Sequence, residues 1–240
     1  MFAVLVLSKT NAILRKAKFH AERITLPNDK AFFIVTAEKL RGKIPYTKLS
    51  ESLGILKKDV ILNSNIALPD NCGITLFIPD IFPRILLINS AVAFLRNRHY
   101  ESLILFDEEA IYTDYIQLLV KSFERIRVIT PTPKAYDPAA RKLMEDFGFS
   151  LEVSSENSFQ GDVIISHKCC VPLYYSGTVF TNKKQYLMNA KVFSGSSVTL
   201  PCPYDKFKPQ NTDTVLFASA LYEKCNVTEL KDLQYSDFGC

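Results

Sequence analysis

Residues 102–166 read SLILFDEEAIYTDYIQLLVKSFERIRVITPTPKAYDPAARKLMEDFGFSLEVSSENSFQGDVIIS, and this stretch decides the fold. Ser102–Phe106 is a continuous apolar run, the mark of a strand buried on both faces. Ile111, Tyr115, Leu118 and Leu119 then fall at i, i+4, i+7 and i+8, which predicts a helix. Arg127–Thr130 gives a second strand. In the next helix Asp137 is placed to cap, Pro138 suits the first helical position and Gly148 suits the position past the end. Tyr136, Ala140, Leu143, Met144 and Phe147 form its apolar stripe. Phe149–Val153 and Asp162–Ser166 supply a third and fourth strand. Strand, helix, strand, helix, strand at this spacing implies right-handed crossovers and a parallel sheet.

Outward from this core, Val179–Thr181, Val192–Phe193 and Ser197–Leu200 read as further short strands. Thr212 or Asp213 can cap a last helix that presents Val215, Ala218 and Tyr222. Before residue 100 the pattern is shorter. The apolar run Phe2–Leu7 reads as a buried strand. Arg23–Leu26 and Ala31–Thr36 are strands parted by the turn residues Pro27-Asn28-Asp29. Ile74–Ile78 reads as a strand, and the spacing of Ile85, Ile88, Val92 and Leu95 places a helix over Arg84–Arg98. The expected architecture is α/β. A Rossmann-like, mostly parallel sheet occupies 100–240, and a smaller, basic α+β lobe occupies 1–99.

Composition agrees with a globular chain: 240 residues, 48% hydrophobic and 22% charged, with no low-complexity segment. Residues 1–100 carry a balance of +8 and residues 101–240 one of −4, within a net charge of +4. An asymmetry of this kind suits either an anionic partner or packing against the acidic part. The run after Met1 lacks the basic region and small-residue cleavage site of a signal peptide. No stretch reaches the ~18 apolar residues of a membrane span. The six cysteines show no C-x-x-C and no disulfide framework. A cytoplasmic location, with no membrane association, is the expectation.

Ligands of open parallel sheets bind beyond the carboxyl ends of the strands. That places Asp107, Glu108, Thr130, Thr132, Lys134, Ser154 and Ser166 as candidate ligand-binding residues. His167, Lys168 and Cys169 are the candidates for chemistry, since a thiol beside an imidazole can become a nucleophile when an orienting group is present. In arrangement, residues 102–200 resemble the NAD(P)-binding lobe of dehydrogenases of the shikimate-dehydrogenase kind, carried by SLILF, RVITP, GDVIIS and the short hop from third strand to fourth. The resemblance implies a Rossmann fold and a dinucleotide at the first turn. That turn departs from the family's G-x-G-x-x-G and reads Asp107-Glu108-Glu109-Ala110-Ile111-Tyr112. Backbone N–H groups need glycine to approach a pyrophosphate, and three carboxylates repel it. At 4 Å and an effective dielectric of 20 the repulsion is about 4 kcal/mol per pair of unit charges. No cofactor is therefore expected, and no metal. The acidic turn is expected to complement a helix dipole. An acidic pair also ends the first strand of phosphorylation-receiver domains, but Ser166 stands where their phosphoacceptor aspartate belongs.

One alternative lies in the basic lobe. Tyr46–Leu62 resembles a helix-turn-helix, with Leu49 and Leu53 on a first helix, a Gly54 turn and Val60 on a second. Lys57 and Lys58 would then meet phosphates and Asn63 a base edge. The leading expectation is a degenerate, non-catalytic, dehydrogenase-like protein that binds a small molecule or a protein partner between its lobes. An enzyme with a non-standard nucleotide site is the second reading, and a DNA-binding regulator the third.

Overall fold

The computed structural model describes residues 1–12, 18–40, 43–64, 66–168, 170–183 and 185–239. They pack as two units, Met1–Phe82 with Ser197–Lys231, and Pro83–Ser196 with Asp232–Cys240. This grouping differs from a single cut after residue 99. The later segment joins the first unit because Phe217 packs edge-on against Phe2 and Phe32, with ring centroids 6.0 and 5.4 Å away.

In the first unit, β1 (Ala3–Ala12), β2 (Phe19–Thr25), β3 (Ala31–Leu40) and β4 (Val60–Leu62) form a sheet in the order β2-β3-β1-β4. β1 runs parallel to β3 and β4, and β2 runs antiparallel to β3. The predicted turn between β2 and β3 is present, with Asp29 left-handed at φ 61°. α1 (Tyr46–Leu53) buries Leu49 and Leu53 in this unit's core. The predicted helix-turn-helix does not form. Gly54–Lys58 is a short 3₁₀ turn, and Val60–Leu62 is drawn into the sheet as β4 because its apolar side chains are better buried against β1. The predicted strand at Ile74–Ile78 reduces to one bridge, Val60 to Leu76. Pro79 denies it a ladder donor, and Ile78 is 80% exposed.

The helix predicted over Arg84–Arg98 is α2 (Ile81–Leu95). β5 (Tyr100–Phe106) follows, then α3 (Ile116–Leu119), β6 (Phe123–Ile129), α4 (Asp137–Phe147) and β7 (Leu151–Ser154). β8 (Val163–Ser166), β9 (Thr178–Thr181) and β10 (Lys191–Phe193) complete a six-stranded, all-parallel sheet. Its order is β10-β9-β8-β5-β6-β7. The chain lays down β5, β6 and β7 in one direction, then returns past β5 to add β8, β9 and β10 in the other. That is the doubly wound, Rossmann-like order, with its switch point between β5 and β8. β8 and the Leu103–Phe106 part of β5 are buried on both faces, as the DVIIS and SLILF runs require.

Three local readings change. The helix after β5 starts late and is mostly 3₁₀, with α3 (Ile116–Leu119) between 3₁₀ turns at Thr113–Tyr115 and Val120–Ser122, because the chain after β5 wraps around the Asp107 side chain, with Ala110 left-handed at φ 55°. Asp137 lies inside α4 and caps nothing. The 3₁₀ turn Pro133–Tyr136 precedes it, and the Asp137 N–H donates to the carbonyl of Lys134. Ser197–Leu200 is not a strand, with bridge pairing at Val198 alone. Two punctuation marks hold: Gly148 is left-handed at φ 63°, and Asp213 caps α6 (Thr214–Cys225) by accepting from the Leu216 N–H at 2.7 Å. α5 (Tyr204–Phe207) is a single turn before it. Among the described residues no helix is long and apolar enough to cross a membrane.

Among the described residues no helix connects β7 to β8, β8 to β9 or β9 to β10. Irregular loops instead cover one sheet face, where Phe159, Val171, Tyr175 and Leu187 pack on Ile104, Phe106, Ile129, Ile164 and Val179. Close approach makes Gly177 obligatory here: a Cβ would lie 2.3 Å from the Asp162 carbonyl.

Candidate functional site

At the end of β5 the carboxylate of Asp107 is 1% exposed. Its Oδ2 accepts from the Tyr112 N–H at 2.7 Å and from the Tyr136 hydroxyl at 2.5 Å. The acidic turn therefore serves no helix dipole; Asp107 organises the loop after β5 and ties it to the loop after β6. Both tyrosines are buried, and burial first, then the nearby Asp107 charge, pushes their hydroxyl pKa values well above the ordinary 10. Asp107 Oδ1 and the Tyr112 hydroxyl oxygen are buried without a hydrogen-bond partner. Glu109 reaches back to α2, where it pairs with the 3%-exposed Arg84 at 2.9 Å.

β8 delivers Ser166 and His167 to the same place. Asn182 donates through Nδ2 to the Pro83 carbonyl at 2.7 Å, and the same nitrogen lies 2.9 Å from His167 Nδ1. Its Oδ1 accepts from the Tyr235 hydroxyl at 2.9 Å. Since Nδ2 must be the donor, Nδ1 accepts and the neutral imidazole carries its proton on Nε2. Arg84, Asp107, Tyr112, Ser166, His167 and Lys168 line a cavity of about 10 Å³ at the switch point. That is the room of roughly one water molecule, and no dinucleotide fits it.

The other expected residues separate from this cluster. Thr130 is buried and its hydroxyl accepts from the Thr132 N–H at 3.2 Å, so the two close their own turn. Lys134 is exposed on the turn before α4. Cys169 lies outside the described residues. Cys170, exposed, has the Lys183 ammonium 2.7 Å from its sulfur. Lys57 and Lys58 end the 3₁₀ turn of the first unit. Asn63 is buried, with its amide donating to the Gln210 carbonyl at 2.6 Å, so it presents no donor to a base edge. Among the described residues no three His, Cys, Asp or Glu side chains could together hold a metal ion.

Ser154 lines a second and larger cavity, of about 640 Å³, with Arg127, Glu152, Asn157, Gln160 and Tyr174. Arg127 projects from β6 and is fixed by Nε donating to Glu152 at 2.6 Å and by Nη1 donating to the Ser158 hydroxyl at 3.1 Å. The pair holds Glu152 below the usual carboxylate range and Arg127 above its own. Phe159, on the wall of this cavity, packs with its ring tilted 31° and 5.4 Å from that of Phe106, which lines the small one. Sequence reading found Asp107, Glu108, Ser154, Ser166, His167 and Lys168 around the two cavities but missed Arg84, Tyr112, Tyr136, Asn182 and Arg127. Tyr136 falls in a helix stripe by its spacing, and only the buried carboxylate reveals that its hydroxyl is in use.

No family model matches the chain, and no curated protein sequence matches it. Among solved structures it is similar to HcgC from Methanococcus maripaludis, cocrystallized with SAH and pyridinol. The TM-score is 0.34, with 12% sequence identity over 64% of this chain and 67% of that one. That distance assigns no ligand.

Proposed function

We propose that the chain binds a small molecule along the carboxyl edge of its six-stranded sheet and takes no dinucleotide there. The single observation that carries this reading is the pair of buried, unpartnered polar atoms at the switch point, Asp107 Oδ1 and the Tyr112 hydroxyl. Each such group costs about 1–3 kcal/mol in a folded protein, a cost that a polar atom reaching the switch point of the parallel sheet, from a ligand or a water, would offset. The reading places Glu108, Ser154, Ser166, His167 and Lys168 beside the ligand and gives Asp107 the task of positioning Tyr112 and Tyr136. The absence of glycine in the turn after β5 and the one-water size of the cavity support the exclusion of NAD(P).

A thermal-shift screen tests this. A ligand at 100 times its dissociation constant adds about 2.7 kcal/mol to the free energy of unfolding. The expected result is no shift with NAD(H), NADP(H), ATP or S-adenosylmethionine, and a shift with a smaller polar compound that His167→Ala weakens. A shift with a dinucleotide, or none across a broad set of small polar compounds, would overturn the reading.

A further inference from the structure

From the cavity at the β6–β7 edge we infer the class of that ligand: an uncharged, polyhydroxylated molecule of the size of a mono- or disaccharide. The inference rests on the small-molecule reading above and adds to it a place and a chemistry.

Size comes first. About 640 Å³ lies within the roughly 300–1,000 Å³ of small-molecule sites, whereas the switch-point cavity, at about 10 Å³, holds no more than a water molecule. Charge then narrows the class. The cavity is lined by one cation and two carboxylates, and Arg127 is already paired with Glu152 at 2.6 Å. Glu156 has no cationic partner within 4 Å among the described residues, so an entering phosphate or carboxylate meets uncompensated negative charge. The remaining lining is suited to hydroxyl groups. The amides of Asn157 and Gln160 each offer a donor and an acceptor side by side, the spacing that vicinal hydroxyls match. Ser154 accepts from the Glu156 N–H at 3.0 Å and Ser158 accepts from Arg127, so each hydroxyl keeps its own proton to donate. Tyr174, 82% exposed, and Phe159 add aromatic faces against which the C–H surface of a sugar ring can pack.

The polar lining is also held in advance. Phe159 is anchored on Phe106 and the Tyr175 hydroxyl donates to the Gly161 carbonyl at 2.8 Å, which fastens the carboxyl end of the loop that carries Glu156, Asn157, Ser158 and Gln160, while the Glu156 N–H on the Ser154 hydroxyl at 3.0 Å holds its start. A loop fixed before binding loses less freedom when the ligand arrives.

The test is saturation-transfer-difference NMR with the full chain and four sets of probes: neutral mono- and disaccharides, the same sugars as phosphates, uncharged nucleosides, and diamines. Affinities follow from calorimetry. The expected result is binding of a neutral saccharide, weakened about tenfold by Tyr174→Ala and several-fold by Gln160→Ala, and unchanged by Lys121→Ala at the far end of β6. Both substituted side chains of the cavity are exposed, so folding is not at stake. Binding of a nucleoside, a diamine or a sugar phosphate in preference to the neutral sugar would overturn the class while leaving the small-molecule reading standing. Saccharide binding that Tyr174→Ala does not weaken would overturn the place. Binding of none of the four, with no thermal shift in the broader screen, would overturn both.

Discussion

The two halves of the six-stranded sheet are built differently. From β5 to β7 the chain alternates strand and helix, and its side chains follow the periods of 2 and 3.6 that such elements require. From β7 to β10 the described residues between strands form no helix, and they cover a sheet face with Phe159, Val171, Tyr175 and Leu187. Both halves supply one edge of the switch point, but the large polar cavity lies where the first of these loops leaves β7. Regular packing makes the platform. The irregular connections carry the exposed polar side chains, as expected of loops that run over a packed scaffold.

Core truncations test this contrast with the largest effects. Leu105→Ala, near the carboxyl end of β5, is expected to cost about 2–5 kcal/mol in chemical denaturation, the range for a fully buried leucine. Leu187→Ala, in a loop that has more freedom to collapse, is expected at the lower end. Equal losses would dissolve the distinction between a packed half and an adaptable one. Tyr136→Phe comes next, because it removes a hydrogen bond to a buried carboxylate; a loss of about 1.5–3 kcal/mol is expected in the same measurement.

Tyr112 and Tyr136 also set an alkaline limit. Their folded pKa values lie above the ordinary 10, so the folded state keeps protons that the unfolded chain releases. Their contribution is complete below pH 10 and is lost as the pH rises further, by about 1.4 kcal/mol per pH unit for each tyrosine. Stability measured from pH 9 to 11 should fall less steeply in Tyr136→Phe. An unchanged slope would mean that Tyr136 is not buried as a neutral phenol. Asp213→Ala removes the cap of α6 and is expected to cost about 1 kcal/mol, while Glu101→Gln, breaking the exposed pair with Arg125, is expected to cost less than about 1 kcal/mol.

The regular half was legible because burial on both faces leaves a continuous apolar run and helix ends leave punctuation: SLILF, DVIIS and Gly148 announce themselves. Where one polar side chain redirects the backbone, periodicity misleads. Asp107 captures the Tyr112 N–H and shortens α3, although Ile111, Tyr115, Leu118 and Leu119 keep helical spacing. Val60–Leu62 shows the opposite error, since a short apolar run after a lysine pair suits a helix or a strand equally until a partner strand is known. For the site, strand ends pointed to Asp107, Ser166 and His167. Arg84, Asn182 and Tyr235 converge there from three other segments, a juxtaposition that no local pattern encodes.

Amide chemical-shift mapping of the isotope-labelled chain with a neutral disaccharide tests the central claim most directly. Shifts concentrated at Ser154–Gln160 and Tyr174, with smaller ones at Asp107–Tyr112 and His167, are the expected result. Shifts confined to the first unit, or a stronger response to NADH at the turn after β5, would contradict it.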